Sequence, residues 1–232
     1  MSNSKKKIIV FSGAGISAES GIQTFRDSGG LWENYKIEDV ATPEAWKKNP
    51  ALVLDFYNQR RKQIMAAQPN NAHYYFTLLE DNYDVQIITQ NIDDLHERAG
   101  SSKVLHLHGE IMKARSTYNE SLVYNLDHGE IKLGDKCEKG SQLRPHIVWF
   151  NEAVPNMDVA VELLEDTDFF IIIGTSLNVY PAAGILNFVP QQAKKILIDP
   201  KEFNLQPSNN ITHIKKTAVL GVNDLSNYFD IN

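Results

Sequence analysis

Apolar positions along the chain fall into a few short runs, parted by polar stretches that glycine, proline or asparagine punctuate. Ile8 to Phe11 are four apolar residues in succession, three of them β-branched, and predict a strand buried on both faces. Val85–Thr89, a shorter run at Val104–Leu107, and the stretch DFFIIIGTS at 168–176 predict three more, the last the clearest in the chain. Lys195–Ile198 and His213–Lys216 complete the set.

The intervals read differently. Thr42-Pro43 and Asn49-Pro50 each put a capping residue before a proline and predict helix starts. From Pro50 to Gln68 the apolar positions Val53, Phe56 or Tyr57, Ile64 and Ala67 follow helical spacing, until Pro69, Asn70 and Asn71 end it and a second helix begins over 72–80. Roughly six short strands alternating with helices predict an α/β fold, a doubly wound parallel (Rossmann-like) sheet. The stretches 30–74 and 111–145 do not fit that alternation. The second is polar and carries Gly129, Gly134 and Gly140. Both are assigned to a small inserted lobe, which leaves 1–29, 75–110 and 146–232 for the large domain, with HIVWF at 146–150 marking the return to core.

Composition narrows the class. Of the 232 residues, 42% are hydrophobic and 22% charged, as in ordinary globular chains, and the net charge of −6 argues against a nucleic-acid-binding surface as the main role. The one cysteine, Cys137, permits no intramolecular disulfide and agrees with a reducing compartment. Lys5–Lys7 before an apolar run make a poor signal peptide, because Ser12, Gly13 and Glu19 interrupt it, and no run of 18 apolar residues exists. The expectation is a cytoplasmic protein with no membrane partner.

Candidate chemistry gathers where the first strand ends. Ser12, Gly13, Ala14 and Gly15 leave little side-chain bulk, so the backbone can turn sharply and press against a ligand. With helix-compatible residues following, the turn is expected to aim free N–H groups and a partial positive charge at an anion such as a pyrophosphate. Gly13, Gly15 and Ala18 satisfy G-x-G-x-x-G/A, yet the second strand with a terminal acidic residue that a dehydrogenase would bring about 20 residues later is absent.

Three ordered motifs go further. GAGISAESGIQTFRD at 13–27, TQNIDDLHERAG at 89–100 and LHLHGE at 105–110 closely resemble the signatures of the sirtuins, the NAD-dependent protein deacylases. The resemblance implies NAD and acyl-lysine substrate meeting in a cleft between two lobes. It makes His108 the general base on the ribose hydroxyls and places Gln90, Asn91 and Asp93, with Ile92, at the nicotinamide and its ribose. Asn91 joins His108 as catalytic. Gly13, Ala14, Gly15, Ser17, Glu19, Phe25 and Arg26 contribute to the cofactor site from the first motif, and Gly174, Thr175, Ser176, Asp199 and Ala218 from later strands. Val148 and Phe150 fall in the segment that pairs with the acyl-lysine peptide, where Asn151 replaces the family's usual glycine.

Simpler roles exist for the same residues. A lone histidine is more often structural, His106 and His108 could share a strand face and bind metal, and Asn and Asp commonly cap helices. Tyr57 and Arg60, at i and i+3, share a helix face. Arg60, Arg61 and Lys62 read alone as a solvated basic run, whereas FYNQRR resembles the Tyr-x-x-Arg of sirtuins that remove succinyl or malonyl groups, with the arginine holding the terminal carboxylate.

Most sirtuins also hold zinc with two C-x-x-C pairs. The matching positions here are Ser116, Asn119, Cys137 and Gly140, one thiolate of four, so no zinc is expected, and Tyr118, Leu122, Val123, Tyr124 and Leu126 are expected to form an apolar cluster in its stead. The implied activity is NAD-dependent lysine deacylation (desuccinylation, demalonylation and deacetylation) that releases nicotinamide and O-acyl-ADP-ribose. An NAD glycohydrolase or ADP-ribosyltransferase using the same pocket, and a non-catalytic NAD sensor, are the rival readings.

Overall fold

The computed structural model describes residues 5–23, 35–127, 129–175, 177, 180–203 and 210–230. In chain order the elements are β1 (Lys7–Ser12), α1 (Gly15–Ala18), α2 (Ile37–Val40), α3 (Pro43–Lys48), α4 (Pro50–Ala66), α5 (Asn71–Leu79), β2 (Asp84–Thr89), α6 (Leu95–Arg98), β3 (Val104–His106), β4 (Gly109–Ser116), β5 (Val123–Asn125), β6 (Leu143–Ile147), α7 (Met157–Glu162), β7 (Phe169–Ile173), β8 (Lys194–Ile198), β9 (Ile211–Ile214) and α8 (Ala218–Gly221).

Six strands form one sheet in the order β3-β2-β1-β7-β8-β9, and every pairing is parallel. The expected doubly wound α/β sheet is therefore present. The chain leaves β1 toward β2 and β3, then returns to the other side of β1 with β7, so the winding reverses between β1 and β7. Open α/β sheets bind ligands at the carboxyl ends of the strands at such a reversal.

Alternation along β1 explains why both faces must be covered. Ile8 and Val10 pack with Phe76, Leu79, Val222 and Leu225 on one face, while Ile9 and Phe11 pack with Leu164, Phe170 and Ile185 on the other. A third apolar cluster joins Val53, Phe56, Tyr57 and Ile64 of α4 to Ile111, Ile147 and Trp149.

Both expected proline-marked starts are built as the sequence suggests. The Thr42 hydroxyl accepts from Ala45 N–H and the Asn49 amide oxygen accepts from Leu52 N–H, with Pro43 and Pro50 in the first turn of α3 and α4.

Other expectations shift. Three strands, β5-β4-β6, form a separate antiparallel sheet whose outer residues, Gly109 and Ile147, pair with each other. Residues 109–110 and 146–147, placed with the large domain by sequence, thus lie in strands of the small sheet. The last large-sheet strand begins at Ile211 rather than His213, because Ile211 opposes Lys195, while Lys215 and Lys216 turn outward to Glu202 and Asp224. The apolar cluster of the small lobe is also different. Tyr118 is 73% and Val123 39% exposed, and of the expected five only Leu126 joins the cluster, which Leu54, Ala114, Ile131, Trp46 and Leu143 build instead. α4 shields that sheet from one side, so the sheet needs few apolar residues of its own.

Candidate active site

The turn after β1 is drawn tight by the turn after β7. Gly13 N–H donates to Ile173 O and Gly15 N–H to Gly174 O, at 3.0 and 2.8 Å. A Cβ on Gly15 would stand 2.7 Å from Gly174 Cα, and Gly174 itself has φ +61°. The glycines are thus required chiefly by each other, with ligand approach a consequence. Ile16 and Ser17 N–H donate to Gly13 and Ala14 carbonyls. The expected fan of free donors and helix charge is therefore reduced, since α1 is one turn long and its N–H groups are engaged.

Ser17 is buried and its hydroxyl donates to Asp93 Oδ2 at 3.0 Å while accepting from Asn91 Nδ2 at 3.2 Å. Asp93 Oδ1 accepts from Leu95 N–H, and burial pushes this carboxyl above the usual range despite those two bonds. Gln90 Nε2 donates to Thr175 Oγ1, tying the end of β2 to the loop after β7. Glu19 does not point its carboxylate at open space: it accepts from Thr217 Oγ1 and Val219 N–H, across 198 and 200 positions, and so holds Ala218 in place. Asp199 accepts from Lys201 N–H and is raised by burial.

His108 follows β3. Its Nδ1 lies 2.9 Å from Gln90 O, and a carbonyl can only accept, so Nδ1 carries the proton and Nε2 presents a lone pair. Burial holds the imidazole below its ordinary value, partly offset by that hydrogen bond. His106 turns elsewhere. Its Nδ1 meets Asn91 O and its Nε2 meets Glu97 Oε1 at 2.7 Å, and although burial pulls it down, Glu97 raises it overall. A shared metal between His106 and His108 is not what the geometry provides: the donor atoms that lie within 4.8 Å of one another among the described residues are those of Glu97, His106 and Glu110.

Tyr57 and Arg60 are 3% and 7% exposed, so the solvated-face reading fails for this part of α4. The three basic residues split: Arg60 faces the cleft, Arg61 donates to Ile111 O and Asn58 Oδ1, and Lys62 is exposed. Burial raises Tyr57 far above the phenol range, which keeps it protonated. Val148 N–H donates to His108 O, Phe150 N–H donates to Ala41 O, and Asn151 has φ +70°, a left-handed conformation that suits glycine.

One cavity of about 630 Å³ brings these residues together. Gly13, Ala14, Gly15, Ser17, Glu19, Gln90, Asn91, Ile92, Asp93, His108, Gly174, Thr175, Asp199 and Ala218 line it, as do Tyr57, Arg60, Val148 and Phe150. Phe25, Arg26 and Ser176 lie outside the described residues. Trp149, between Val148 and Phe150 in the segment that resembles the peptide-pairing strand, lines it too, and Glu152, Tyr180 and Thr217 also line it without having been singled out from sequence. Nothing in the sequence near Thr217 announces a partner 198 positions away, whereas Glu152 meets Trp149 and Arg144 only 3 and 8 positions back.

The Sir2 family model matches residues 13–181, which hold this turn, the Gln90–Asp93 segment and His108. The chain belongs to the Sir2 family. Its relatives include an NAD-dependent protein deacylase of Bacteroides thetaiotaomicron, 53% identical over 95% of this chain and 96% of that one. Another is an NAD-dependent protein deacylase of Helicobacter pylori, 52% identical over 95% and 94%. Among solved structures, a Sir2 homologue in complex with NAD superposes with a TM-score of 0.86 at 39% identity, covering 97% of this chain and 89% of that one. A mutant Sir2 homologue bound to ADP-ribose gives the same TM-score and identity, over 96% and 91%. Among the described residues of this Sir2 chain, no helix is long and apolar enough to cross a membrane.

Proposed function

We propose that this chain removes acidic acyl groups, succinyl and malonyl, as well as acetyl, from protein lysines. Its coarser activity, NAD-dependent protein deacylation on acylated protein or peptide substrates, follows from its family and its relatives. The finer reading rests on one observation: Tyr57 and Arg60 lie on the same buried face of α4 and line the same cavity as His108. A guanidinium there offers paired donors for a terminal carboxylate, and the phenol, kept protonated by burial, offers a third.

The residues present suit NAD. Small residues of the Gly13–Gly15 turn leave room for a pyrophosphate, amide and carboxyl groups of Gln90, Asn91 and Asp93 face the same space, and Ala218 forms a small-residue wall at the far end. Bound NAD supplies an activated glycosidic carbon and the ribose hydroxyl that receives the acyl group. The protein's share is positioning and proton movement. Gln90 O fixes the His108 tautomer so that Nε2 can take a proton, and the depressed basicity of the imidazole keeps it neutral at physiological pH. Ser17 locks the side chains of Asn91 and Asp93 together, so neither needs to reorient when a ligand enters.

The small lobe is proposed to work without zinc. In support, Ser116 donates its hydroxyl to Cys137 Sγ at 3.2 Å and accepts from Tyr118 and Asn119 N–H, while Gly140 N–H donates to Cys137 O. Hydrogen bonds thereby link the two segments that a metal would bridge.

The test is mass spectrometry of matched acetyl- and succinyl-lysine peptides incubated with and without NAD. Loss of both acyl groups is expected only with NAD. His108→Ala should abolish both, and Arg60→Met should weaken desuccinylation at least tenfold more than deacetylation, the order expected for one lost charge-assisted pair. Equal loss for the two peptides would sink the acidic-acyl reading. NAD consumption that ignores peptide altogether would point to a glycohydrolase.

A further inference from the structure

Residues 147–152 run along the substrate side of the cavity. Within this turn Glu152 N–H donates to Trp149 O, and the left-handed Asn151 lies at the bend. The Glu152 carboxylate, 16% exposed, gathers donors from three directions. Arg144 grips both oxygens, at 2.7 and 3.0 Å, Arg115 reaches Oε2 at 3.2 Å, and Trp149 N–H donates to Oε2 at 2.7 Å. Arg115 and Arg144 come from β4 and β6 of the small sheet and their side chains are 5% and 8% exposed. The Arg144 guanidinium also lies 3.2 Å from the centre of the Trp149 ring, and Trp149 packs in turn on Tyr57 and Trp46.

We propose that Glu152, held by Arg115 and Arg144, is a positioning residue for the acyl-lysine substrate. It fixes Trp149 where that ring packs on Tyr57, and so sets the wall that the two form beside Arg60 in the acyl pocket. This rests on the deacylase reading above. Two physical arguments carry it. A buried Arg–Glu–Arg cluster adds little net stability, because desolvation of three charges offsets their attraction, so stability alone does not account for it. Its bonds instead end on the backbone of Trp149 and on the face of its ring, which are the atoms that decide where the wall stands. Removing the carboxylate charge would leave Arg115, among the described residues, with only the exposed Glu120, at 3.4 Å, so the two buried guanidinium groups would repel and part, taking the Trp149 wall with them. Among the described residues the hydrogen bonds and ion pairs of the cluster do not reach Ser17, Asn91 or the Gly13–Gly15 turn, so binding of NAD is expected to change little.

Steady-state kinetics on the full chain, varying NAD and acyl-peptide separately, decide the matter. Glu152→Gln is expected to raise KM for acyl-peptide by about five- to tenfold, with kcat within about threefold and KM for NAD within about twofold, the pattern of lost uniform binding to one substrate. Should that variant fail to fold, Arg115→Met keeps the Arg144–Glu152 pair and is expected to raise the peptide KM by about two- to threefold in the same direction. Unchanged KM values with kcat falling in step with the folded fraction, or a parallel rise in both KM values, would overturn the positioning role. A wild-type chain that deacylates neither peptide would overturn the activity instead, before any variant is compared.

Discussion

His108 shows how one contact decides a residue's chemistry. Its bond to Gln90 O assigns the proton to Nδ1, and burial makes the charged form costly. As the proposed base His108 must be neutral to act, and its folded value lies below the ordinary value of about 6.5, so activity should persist as pH falls through that point and be lost only beneath it. A kcat/KM profile with an acid limb centred below about 6.5 is the expected result, and a limb at 7 or above would contradict the assignment. The sequence made His108 legible because LHLHGE singles it out, and it marked Gly13 and Gly15 as sites of close approach. It could not say what approaches: Thr175 and Gly174, some 160 positions away, stand nearest to Gly13 and Gly15 respectively. Arg60 and Arg61 are the opposite case. Adjacent basic residues look alike in a sequence, and only the packing of α4 against β4 separates the one that faces the cleft from the one that secures Ile111.

At the scale of elements, α4 is the piece on which the Tyr57–Arg60 side of the cleft depends. It carries Tyr57 and Arg60, contributes Leu54 to the small-sheet core, and starts at a cap readable from Asn49-Pro50. Asn49→Ala removes the acceptor for Leu52 N–H and should cost about 1 kcal/mol. In a chain of this size that is a fall of about 2–4 °C in Tm, to be read from thermal unfolding. Helices with proline-marked starts and strands with unbroken apolar runs were legible because local chemistry specifies them. The small sheet was not, since its strands are polar, irregular at the Gly109–Ala114 bulge, and kept in place by α4 and by the Arg115–Glu152–Arg144 cluster rather than by their own pattern.

For the whole molecule, the absence of three of the four expected thiolates makes a direct demand. If the small lobe relies on packing and on the Ser116–Cys137 bond, then prolonged treatment with a strong chelator should leave both Tm and deacylation unchanged, and metal analysis of the purified chain should find less than about 0.1 equivalent of zinc. A loss of activity that added zinc restores would overturn that view. The two-lobed plan itself followed from the sequence through the alternation of runs and the resemblance of three motifs. The exact handover between lobes did not, because His146 and Ile147 are apolar-flanked and read as core while their backbone pairs with the small sheet.

The bond from Glu19 to Thr217 and Val219 has a consequence for how the protein comes into being. Chains are synthesised from the amino terminus, and a domain generally folds as a unit. The glycine turn and Glu19 leave the ribosome ahead of the wall that Glu19 secures, whose Thr217 and Val219 follow 198 and 200 positions later. Between the two events β1 must wait for β7, its partner on one side. A nascent chain therefore holds the residues of the Gln90–Asp93 and His108 end of the cleft well before those of the Ala218 end, and Gln90 waits in turn for Thr175. Until Thr217 and Val219 are made, Glu19 lacks the two groups it holds, and the cleft is expected to lack the wall that α8 gives it.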